Sequence, residues 1–296
     1  MDIIEKILLP VLVIAAAAFI IGFLLAVAGR VFFVKKDERI DKISGLLPGA
    51  NCGGCGFAGC QSYAEAMVKD GAPCDKCTAA EAKNLEEIAE ILGKEVSSTA
   101  RMRAMVMCSG TKDLANDKYI YKGLDDCLSV ARLGNGPKEC PHGCIGLGSC
   151  VKACPFGAIK IEDGVAVVEY EKCRACGVCV STCPQNLIKL IPFDADIWVG
   201  CSSRLPGKEV RSFCKVGCIG CGICAKNCPV GAITVENNIA EIDYEKCTNC
   251  GICREKCPRK IIWSGREQIE KGDTIASAAI TVEKTKEPEK ENAEEE

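Results

Sequence analysis

The spacing of apolar and charged residues sets the first 30 positions apart from the rest of the chain. Residues 7–29 contain no charged side chain, and about 20 apolar residues suffice for a helix to cross the hydrocarbon core of a bilayer. A cleaved signal peptide has a shorter apolar stretch behind a basic leader, whereas this leader, MDIIEK, carries two acids and one lysine. The pattern therefore predicts a transmembrane anchor over residues 1–30, with residues 7–29 in contact with lipid.

Basic residues follow the apolar run closely, namely Arg30, Lys35, Lys36 and Arg39. The positive-inside rule puts such flanking residues on the cytoplasmic side of the membrane. We therefore expect a single-pass membrane protein whose soluble part lies in the cytoplasm.

Two further patterns follow a short polar linker, residues 31–50. Residues 62–71 and 79–93 repeat apolar positions at helical spacing, which predicts a small helical module. Residues 231–246, GAITVENNIAEIDYEK, instead contain two β-rich segments separated by a turn, which is typical of a hairpin. Helices and strands in separate parts of the chain predict the α+β class.

The cysteine content limits the types of metal site that the chain can form. The 296 residues include 25 cysteines, an odd number that does not suit a disulfide framework, and one histidine, His142, which disfavours mixed cysteine–histidine zinc sites. Aromatic residues make up 5%, so the apolar core must be small. These features favour cysteine-ligated clusters in a reducing compartment. Motifs for nucleotide or flavin binding and for nucleophilic catalysis are missing from the sequence, so we expect no such cofactor, no catalytic residue and no nucleic-acid partner.

The first cysteine group lies in the predicted helical module, residues 51–100. Its spacing is C-x2-C-x4-C-x16-C, and the glycines between allow the backbone to fold tightly around a cluster. We expect a 4Fe-4S cluster held by Cys52, Cys55, Cys60 and Cys77. Zinc bound by the same cysteines remains an alternative, and Cys74 is interpreted as a bystander thiol.

The most specific motif is a pair of C-x2-C-x2-C-x3-C-P runs in a ferredoxin-like domain, residues 214–265. In two-cluster ferredoxins the fourth cysteine of each run binds the other cluster. One predicted cluster therefore uses Cys218, Cys221, Cys224 and Cys257. The other uses Cys247, Cys250, Cys253 and Cys228.

The same pattern occurs 74 residues upstream. YEKCRACGVCVSTCP, residues 170–184, aligns with YEKCTNCGICREKCP, residues 244–258. The chain therefore contains a tandem repeat, and its first ferredoxin-like domain covers residues 138–192. An intact site is predicted there at Cys173, Cys176, Cys179 and Cys154.

The other site of this upstream repeat has lost one ligand, because Leu147 takes the place of a cysteine. Cys140 is the nearest candidate for the fourth ligand. The predicted set is Cys140, Cys144, Cys150 and Cys183. A decayed site would not be expected to keep these cysteines, so we interpret it as a modified cluster site.

Four cysteines then remain outside the usual motifs, namely Cys108, Cys127, Cys201 and Cys214. Four is the number that one more cluster needs, so they predict a sixth cluster at the junction of the repeats. The repeat offset supports a second partition, in which Cys127 and Cys140 join Cys201 and Cys214 while Cys108 completes the modified site. The sequence leaves both partitions open, with structural or idle thiols as the alternative.

The chain is therefore expected to carry five or six 4Fe-4S clusters. Each cluster with its four thiolates carries about −2, so the loaded protein should be more acidic than its formal net charge of −3. The other predicted segments are a connector with Cys108 and Cys127, an inter-repeat segment, and a largely disordered acidic tail. They cover residues 101–137, 193–213 and 266–296.

Taken together, the amino-terminal span, the module containing GCGFAGCQSYAEA and the repeats containing VGCIGCGICAKNCP resemble the B component of the Rnf complexes, over about residues 1–265. The resemblance implies an electron-transfer subunit of an ion-translocating ferredoxin:NAD oxidoreductase in a bacterial cell membrane. It would accept electrons from soluble reduced ferredoxin and relay them to membrane and flavin-bearing subunits that couple electron flow to Na⁺ or H⁺ transport. The alternatives are an electron-transfer subunit of another membrane reductase and, in a different class, a structural zinc protein.

A basic stretch in and after the inter-repeat segment is a candidate docking site for acidic ferredoxin. Its basic residues are Arg204, Lys208, Arg211 and Lys215, against the single acid Glu209. A solvated loop is the alternative interpretation.

Overall fold

A computed structural model describes residues 3–31, 37–94 and 101–265 of the 296-residue chain. The predicted acidic tail, residues 266–296, lies outside these residues, as do parts of the predicted linker and of the predicted helical module. Helix α1, Ile3–Val31, coincides with the predicted anchor, and its described apolar side chains, such as Phe19 and Leu25, are exposed. Not every side chain of α1 is described, and no helix among the described residues is long and apolar enough to cross a membrane. The transmembrane helix is therefore not confirmed and stays a prediction.

Three helices form the module that follows, α2 (Glu38–Leu46), α3 (Cys60–Lys69) and α4 (Ala82–Leu92). Helix α4 ends at Gly93, whose φ of 63° suits a left-handed cap. Apolar residues at helical spacing meet in one core, in which Ile43, Tyr63 and Ile88 are at most 1% exposed. Burying each of these side chains contributes about 1.5–3 kcal/mol to stability.

Helix α2 lies within the residues that the sequence predicted as a linker. It is only nine residues long, and its buried residues are Ile40 and Ile43, too few for a periodic pattern to stand out. Asp37 caps it by accepting a hydrogen bond from the Arg39 backbone N–H at 3.0 Å.

Two units of similar build follow the module. The first contains β1 (Met102–Val106), α5 (Cys127–Ala131), α6 (Ser149–Ala153), β2 (Ile159–Glu162), β3 (Val165–Val168), α7 (Val178–Thr182) and β4 (Ile188–Pro192). The second contains β5 (Ile197–Val199), α8 (Gly207–Phe213), α9 (Ile223–Lys226), β6 (Ile233–Glu236), β7 (Ile239–Ile242), α10 (Ile252–Glu255) and β8 (Ile262–Ser264). The order of elements is therefore repeated.

Antiparallel pairing is also repeated. The first unit pairs β1 with β4 and β2 with β3, and the second pairs β5 with β8 and β6 with β7. The hairpin predicted over residues 231–246 is confirmed as β6–β7, with Ile233 opposite Ile242. Its counterpart β2–β3 has Ile159 opposite Val168. Side chains of both units share one core around Trp198, which is fully buried, so the units are packed together.

Strands β1 and β5 are equivalent, because each pairs with the last strand of its own unit. A cysteine lies two residues beyond each strand, Cys108 and Cys201. From there the next repeat-matched cysteine is 32 positions away in the first unit, at Cys140, and 13 away in the second, at Cys214. The first unit therefore carries 19 additional residues, the difference between 32 and 13, and α5 with Cys127 lies among them.

Candidate metal centres

Four cavities of nearly equal size, 380–390 Å³, are each lined by at least four cysteines. The module cavity is lined by Cys52, Cys55, Cys60 and Cys77. The repeat 1 cavity is lined by Cys127, Cys144, Cys150 and Cys183. The central cavity is lined by Cys108, Cys140, Cys201 and Cys214. The repeat 2 cavity is lined by Cys218, Cys221, Cys224 and Cys257. Their shared lining by at least four cysteines each indicates one kind of occupant.

The module cavity brings together the four cysteines that the sequence predicted there. Cys60 is the first residue of α3, and its backbone N–H donates to Asn51 Oδ1 at 2.8 Å. Tyr63 holds the segment that precedes Cys77, because its hydroxyl donates to the Pro73 carbonyl at 2.6 Å. Cys74 is buried but is not among the residues lining this cavity.

The repeat 2 cavity also brings together the four cysteines that the motif predicted. Gly220, at φ 64°, lines it and approaches the β6–β7 turn so closely that an added Cβ would lie 2.9 Å from the Asn238 Cα. Burial raises the pKa of Cys224 to about 11. Cys221 is exposed, so one edge of this cavity lies at the surface.

The repeat 1 cavity differs from the prediction in one member, because Cys127 lies where Cys140 was expected. Helix α5 holds Cys127 in place through the start of α6. The Cys127 backbone N–H donates to Ser149 Oγ at 2.7 Å, and that hydroxyl donates to Asp126 Oδ1 at 3.0 Å. Leu147 packs against Cys127. The additional residues of the first unit therefore supply a thiol to the cavity that lacks one in the repeated motif.

The central cavity draws two cysteines from each unit. It adjoins both neighbouring cavities through matched contacts. The Cys144 backbone N–H donates to Cys108 Sγ at 3.4 Å, and the Cys218 backbone N–H donates to Cys201 Sγ at 3.4 Å. Cys108 is thus the structural counterpart of Cys201.

The grouping in these two cavities matches neither partition left open by the sequence. The first partition took Cys140 as the nearest ligand and grouped the four remaining cysteines, and the second relied on a constant offset of 74 residues, which aligns Cys127 with Cys201. An insertion breaks a constant offset, and the strand pairing instead aligns Cys108 with Cys201. A short apolar strand two residues before each of these cysteines was the signal that sequence reasoning missed.

Two further cysteine groups belong to the regular motifs. In the first unit, burial raises the pKa of Cys179 to about 12, with smaller effects of the neighbouring thiols, namely Cys173, Cys176 and Cys154. In the second unit, burial raises the pKa of Cys253 to about 11, with smaller effects of Cys247, Cys224 and Cys250. The fourth cysteine of each group accepts an equivalent hydrogen bond from a backbone amide. The Ala158 N–H donates to Cys154 Sγ at 3.4 Å, and the Ala232 N–H donates to Cys228 Sγ at 3.3 Å.

The thiols of the cavities fit iron–sulfur clusters chemically. Burial raises the pKa of Cys140 to about 11 and those of Cys150 and Cys201 to about 12. Such thiols stay protonated at neutral pH until a metal binds and displaces the proton. Among the described residues, no three His, Cys, Asp or Glu side chains are arranged to hold a metal ion. Cysteines spread around a cavity suit a cubane, in which each thiolate binds a different iron.

The helical module touches the first unit directly. Gly54 lies so close to Cys176 that an added Cβ would overlap the Cys176 carbonyl oxygen. Thr78 Oγ1 donates to the Ala175 carbonyl at 3.0 Å, and Cys176 itself lines the module cavity. The module cavity and the motif site of Cys176 are therefore neighbours.

We expect Gly54→Ala to separate these two sites without emptying them, because the new methyl group would push the Cys176 carbonyl away. Electron paramagnetic resonance of the reduced protein should show weaker spin–spin coupling between the two clusters at an unchanged iron content. Gly45→Ala is the control, since an added Cβ at Gly45 meets no atom within 4 Å. Undiminished coupling in Gly54→Ala would contradict the expectation.

The fold and its cysteine sites define an iron–sulfur protein with tandem two-cluster domains, a class that transfers single electrons. The chain matches the 4Fe-4S dicluster domain family over residues 143–187 and 217–261, and an Fe-S cluster family over residues 47–79. It is 42% identical to the B component of the ion-translocating oxidoreductase complex of Methanosarcina acetivorans, over 79% of this chain and 89% of the relative. The chain belongs to the family of B components of ion-translocating oxidoreductase complexes and is an electron-transfer subunit.

Two further relatives have more specific names. The B component of the Na⁺-translocating ferredoxin:NAD⁺ oxidoreductase complex of Acetobacterium woodii is 42% identical, over 82% of this chain and 73% of the relative. The B component of the proton-translocating ferredoxin:NAD⁺ oxidoreductase complex of Clostridium ljungdahlii is 38% identical, over 82% of this chain and 86% of the relative.

Proposed function

We propose that this subunit accepts electrons from reduced ferredoxin and relays them singly to other subunits of an ion-translocating ferredoxin:NAD oxidoreductase. The observation that carries the proposal is the row of adjoining cysteine sites through the helical module and both repeats. The names of the Acetobacterium and Clostridium relatives support ferredoxin and NAD as the two ends of the reaction. One name specifies Na⁺ and the other protons, so the proposal covers either coupling ion.

The proposed cofactors are six 4Fe-4S clusters, which supply one-electron redox chemistry when bound. Four are assigned to the module, repeat 1, central and repeat 2 cavities. A fifth is assigned to Cys154, Cys173, Cys176 and Cys179. The sixth is assigned to Cys228, Cys247, Cys250 and Cys253. Each cysteine acts as a thiolate ligand, and the backbone amides that donate to Sγ atoms stabilise the negative charge and thereby tune the reduction potential.

Contacts between neighbouring sites support a linear order. The module cavity adjoins the site of Cys176. In repeat 1 the thiol of Cys179 lies near Cys150, and in repeat 2 that of Cys224 lies near Cys253. The two amide contacts of the central cavity join the repeats. The proposed row of sites therefore extends through both repeats, with the central site between them and the module at one end.

The membrane assignment rests on the apolar run over residues 7–29 and on the ion-translocating complexes of the relatives. We propose a single-pass anchor in the bacterial cell membrane with the clusters on the cytoplasmic side. The anchor would hold the module, which follows it in the chain, close to the membrane subunits that receive the electrons.

The proposed entry point for electrons is the basic stretch beside the central cavity. Arg204, Lys208, Arg211 and Lys215 are all exposed. Arg204 also lines a cleft of about 1270 Å³ between the repeats, together with Cys201 and His142. An acidic ferredoxin bound here by charge would lie next to a cysteine of the central site.

Charge reversal tests this function directly. With all four basic residues changed to glutamate, bleaching of the oxidised clusters after rapid mixing with reduced ferredoxin should slow at least about tenfold at low salt, because steering by charge is lost. The rate should then rise with added salt, because salt screens the repulsion between the new glutamates and the acidic ferredoxin. The matched control changes four exposed lysines elsewhere to glutamate, namely Lys42, Lys69, Lys83 and Lys122.

Two results would contradict the proposal. Equal rates in the variant, its control and the unchanged protein would remove the docking assignment. An anaerobically purified protein that binds zinc and shows no reducible clusters would remove the electron-transfer function itself.

A further inference from the structure

One lysine of the first unit is buried without a carboxylate partner. Lys138 is 5% exposed, and its ammonium group donates to the carbonyl oxygens of Gly110 at 2.7 Å and Gly164 at 3.0 Å. Within the described residues, no carboxylate lies within ion-pair distance of its Nζ. A buried charge is costly unless an opposite charge compensates it, so an anionic neighbour is expected close by.

The ammonium group lies between two of the cysteine cavities. Lys138 and Gly110 both line the central cavity. The other acceptor, the Gly164 carbonyl, faces Gly146, where an added Cβ would lie 2.5 Å from that oxygen, and Gly146 lines the repeat 1 cavity. Cys144, in the repeat 1 cavity, is deeply buried, and the charge of Lys138 opposes the rise that burial causes in the pKa of this thiol. One cation therefore lines the central cavity and acts electrostatically on a thiol of the repeat 1 cavity.

The second unit has no equivalent lysine. At the repeat offset of 74, Lys138 corresponds to Ser212, which is exposed. Arg259 lies beside the second half of the central cavity and donates to the carbonyl oxygens of Cys214 at 2.6 Å and Gly217 at 3.3 Å. Arg259 is less buried than Lys138 and is more screened by solvent. The two units therefore differ in the electrostatic potential that these cations produce at the central cavity.

We propose that Lys138 raises the reduction potentials of the clusters in the central and repeat 1 cavities. Electrons within the relay then reduce these two clusters in preference to the others. The inference rests on the cluster assignment in the proposed function. A cluster gains one negative charge when one electron reduces it, so a fixed cation stabilises the reduced form more than the oxidised form. Because Lys138 is buried, salt screens this effect only weakly. Lys138 acts as a positioning residue for electrons, since it binds no iron.

Lys138→Gln tests the inference, because the glutamine amide keeps a hydrogen-bond donor and removes the charge. Redox titration of the full-length protein, followed by electron paramagnetic resonance, should show two cluster signals displaced to lower potential. At a fixed potential near the midpoint, the ratio of reduced to oxidised cluster should fall about tenfold, equivalent to about 59 mV for a one-electron couple. The remaining signals should not move, and iron content should equal that of the unchanged protein.

Two companion variants separate charge from structure. Lys138→Arg keeps the charge and should hold the two potentials close to their original values. Lys118→Gln is the matched control, because Lys118 is exposed and its Nζ also donates to a backbone carbonyl, that of Gly134 at 2.9 Å. It should displace no signal.

Several outcomes would overturn the inference. Unmoved potentials in Lys138→Gln, or an equal displacement in Lys118→Gln, would show that the buried charge does not act on the clusters. An iron-loaded Lys138→Arg with potentials as low as those of Lys138→Gln would exclude charge as the cause. Loss of iron from Lys138→Gln would also contradict it, since the lysine is given no part in holding a cluster. Failure of the proposed function is distinguishable, because the unchanged protein would then lack reducible clusters.

Discussion

Changing Cys127 to serine is expected to remove one whole cluster, about four irons from about 24 per chain. Cys127 lies in the repeat 1 cavity with three motif cysteines and supplies the thiol that is missing where Leu147 replaces a cysteine of the repeated pattern. A hydroxyl is a poor replacement for a thiolate on iron, and three remaining thiolates leave one iron of the cubane without a protein ligand. Iron and acid-labile sulfide, measured on anaerobically purified protein, should both fall by about one sixth.

Two companion variants make this result specific. Cys74→Ser is the control, because Cys74 is buried but does not line the module cavity beside it, and it should lose no iron. Adding Leu147→Cys to Cys127→Ser restores the regular ferredoxin spacing and should restore the cluster. Full iron content in Cys127→Ser alone would contradict the assignment, as would a double variant that stays deficient.

Removing the central cluster is expected to stop electron transfer between the repeats altogether. Cys140→Ala and Cys214→Ala alter the same cavity from opposite units, so both should lose the same paramagnetic signal, and that signal should differ from the one lost in Cys127→Ser. In the assembled complex, ferredoxin-dependent NAD reduction should fall to background in both variants. The physical reason is that the central site lies beside the proposed entry point for electrons and connects that point to both repeats.

Different outcomes would separate the possible errors. If Cys140→Ala and Cys127→Ser lost the same signal, Cys127 and Cys140 would share one site, as in the second partition that the sequence left open. If both variants kept all their iron, the central cavity would hold no cluster. If iron fell but NAD reduction persisted, the relay would bypass the central site.

The regular motifs predicted their own cavities because short local spacings fix how a chain wraps around a cluster. The module cavity and the repeat 2 cavity contain the cysteines expected from spacing alone. In both, the four cysteines come from fewer than 45 consecutive residues, and glycines between them permit tight turns.

The spacing of cysteines along the chain could not predict which of them line the central and repeat 1 cavities. Cys108 matches Cys201 only because β1 pairs with β4 and β5 with β8, and those pairings join residues as distant as Met102 and Pro192. An ungapped repeat alignment has no means of representing the 19 additional residues that contain Cys127. The number of cysteines available for a further cluster was predictable from the sequence. Which cysteines line which cavity depends on the tertiary structure.

The burial of Lys138 could not be predicted from the sequence either. Lys138 resembles any surface lysine in the stretch GPKECPHG, and nothing nearby in the chain marks it as enclosed. Its acceptors, Gly110 and Gly164, lie 28 and 26 residues away and belong to different turns. Charge patterning detects clusters of like residues along the chain, whereas a lone cation that folding encloses leaves no such pattern.

The division of the central cavity between the two units has a mechanical consequence. A cluster bound there would act as a four-way cross-link, tying positions 108, 140, 201 and 214 of one chain to a single rigid body. Closing loops of this length while the chain is still flexible removes several kcal/mol of unfolded-state entropy, by the same reasoning as for a disulfide, at about 4.7 kcal/mol for a 100-residue loop. Assembly of the cofactor and docking of the two halves would then be one cooperative event, so that iron supply governs the tertiary structure of the protein as well as its redox chemistry.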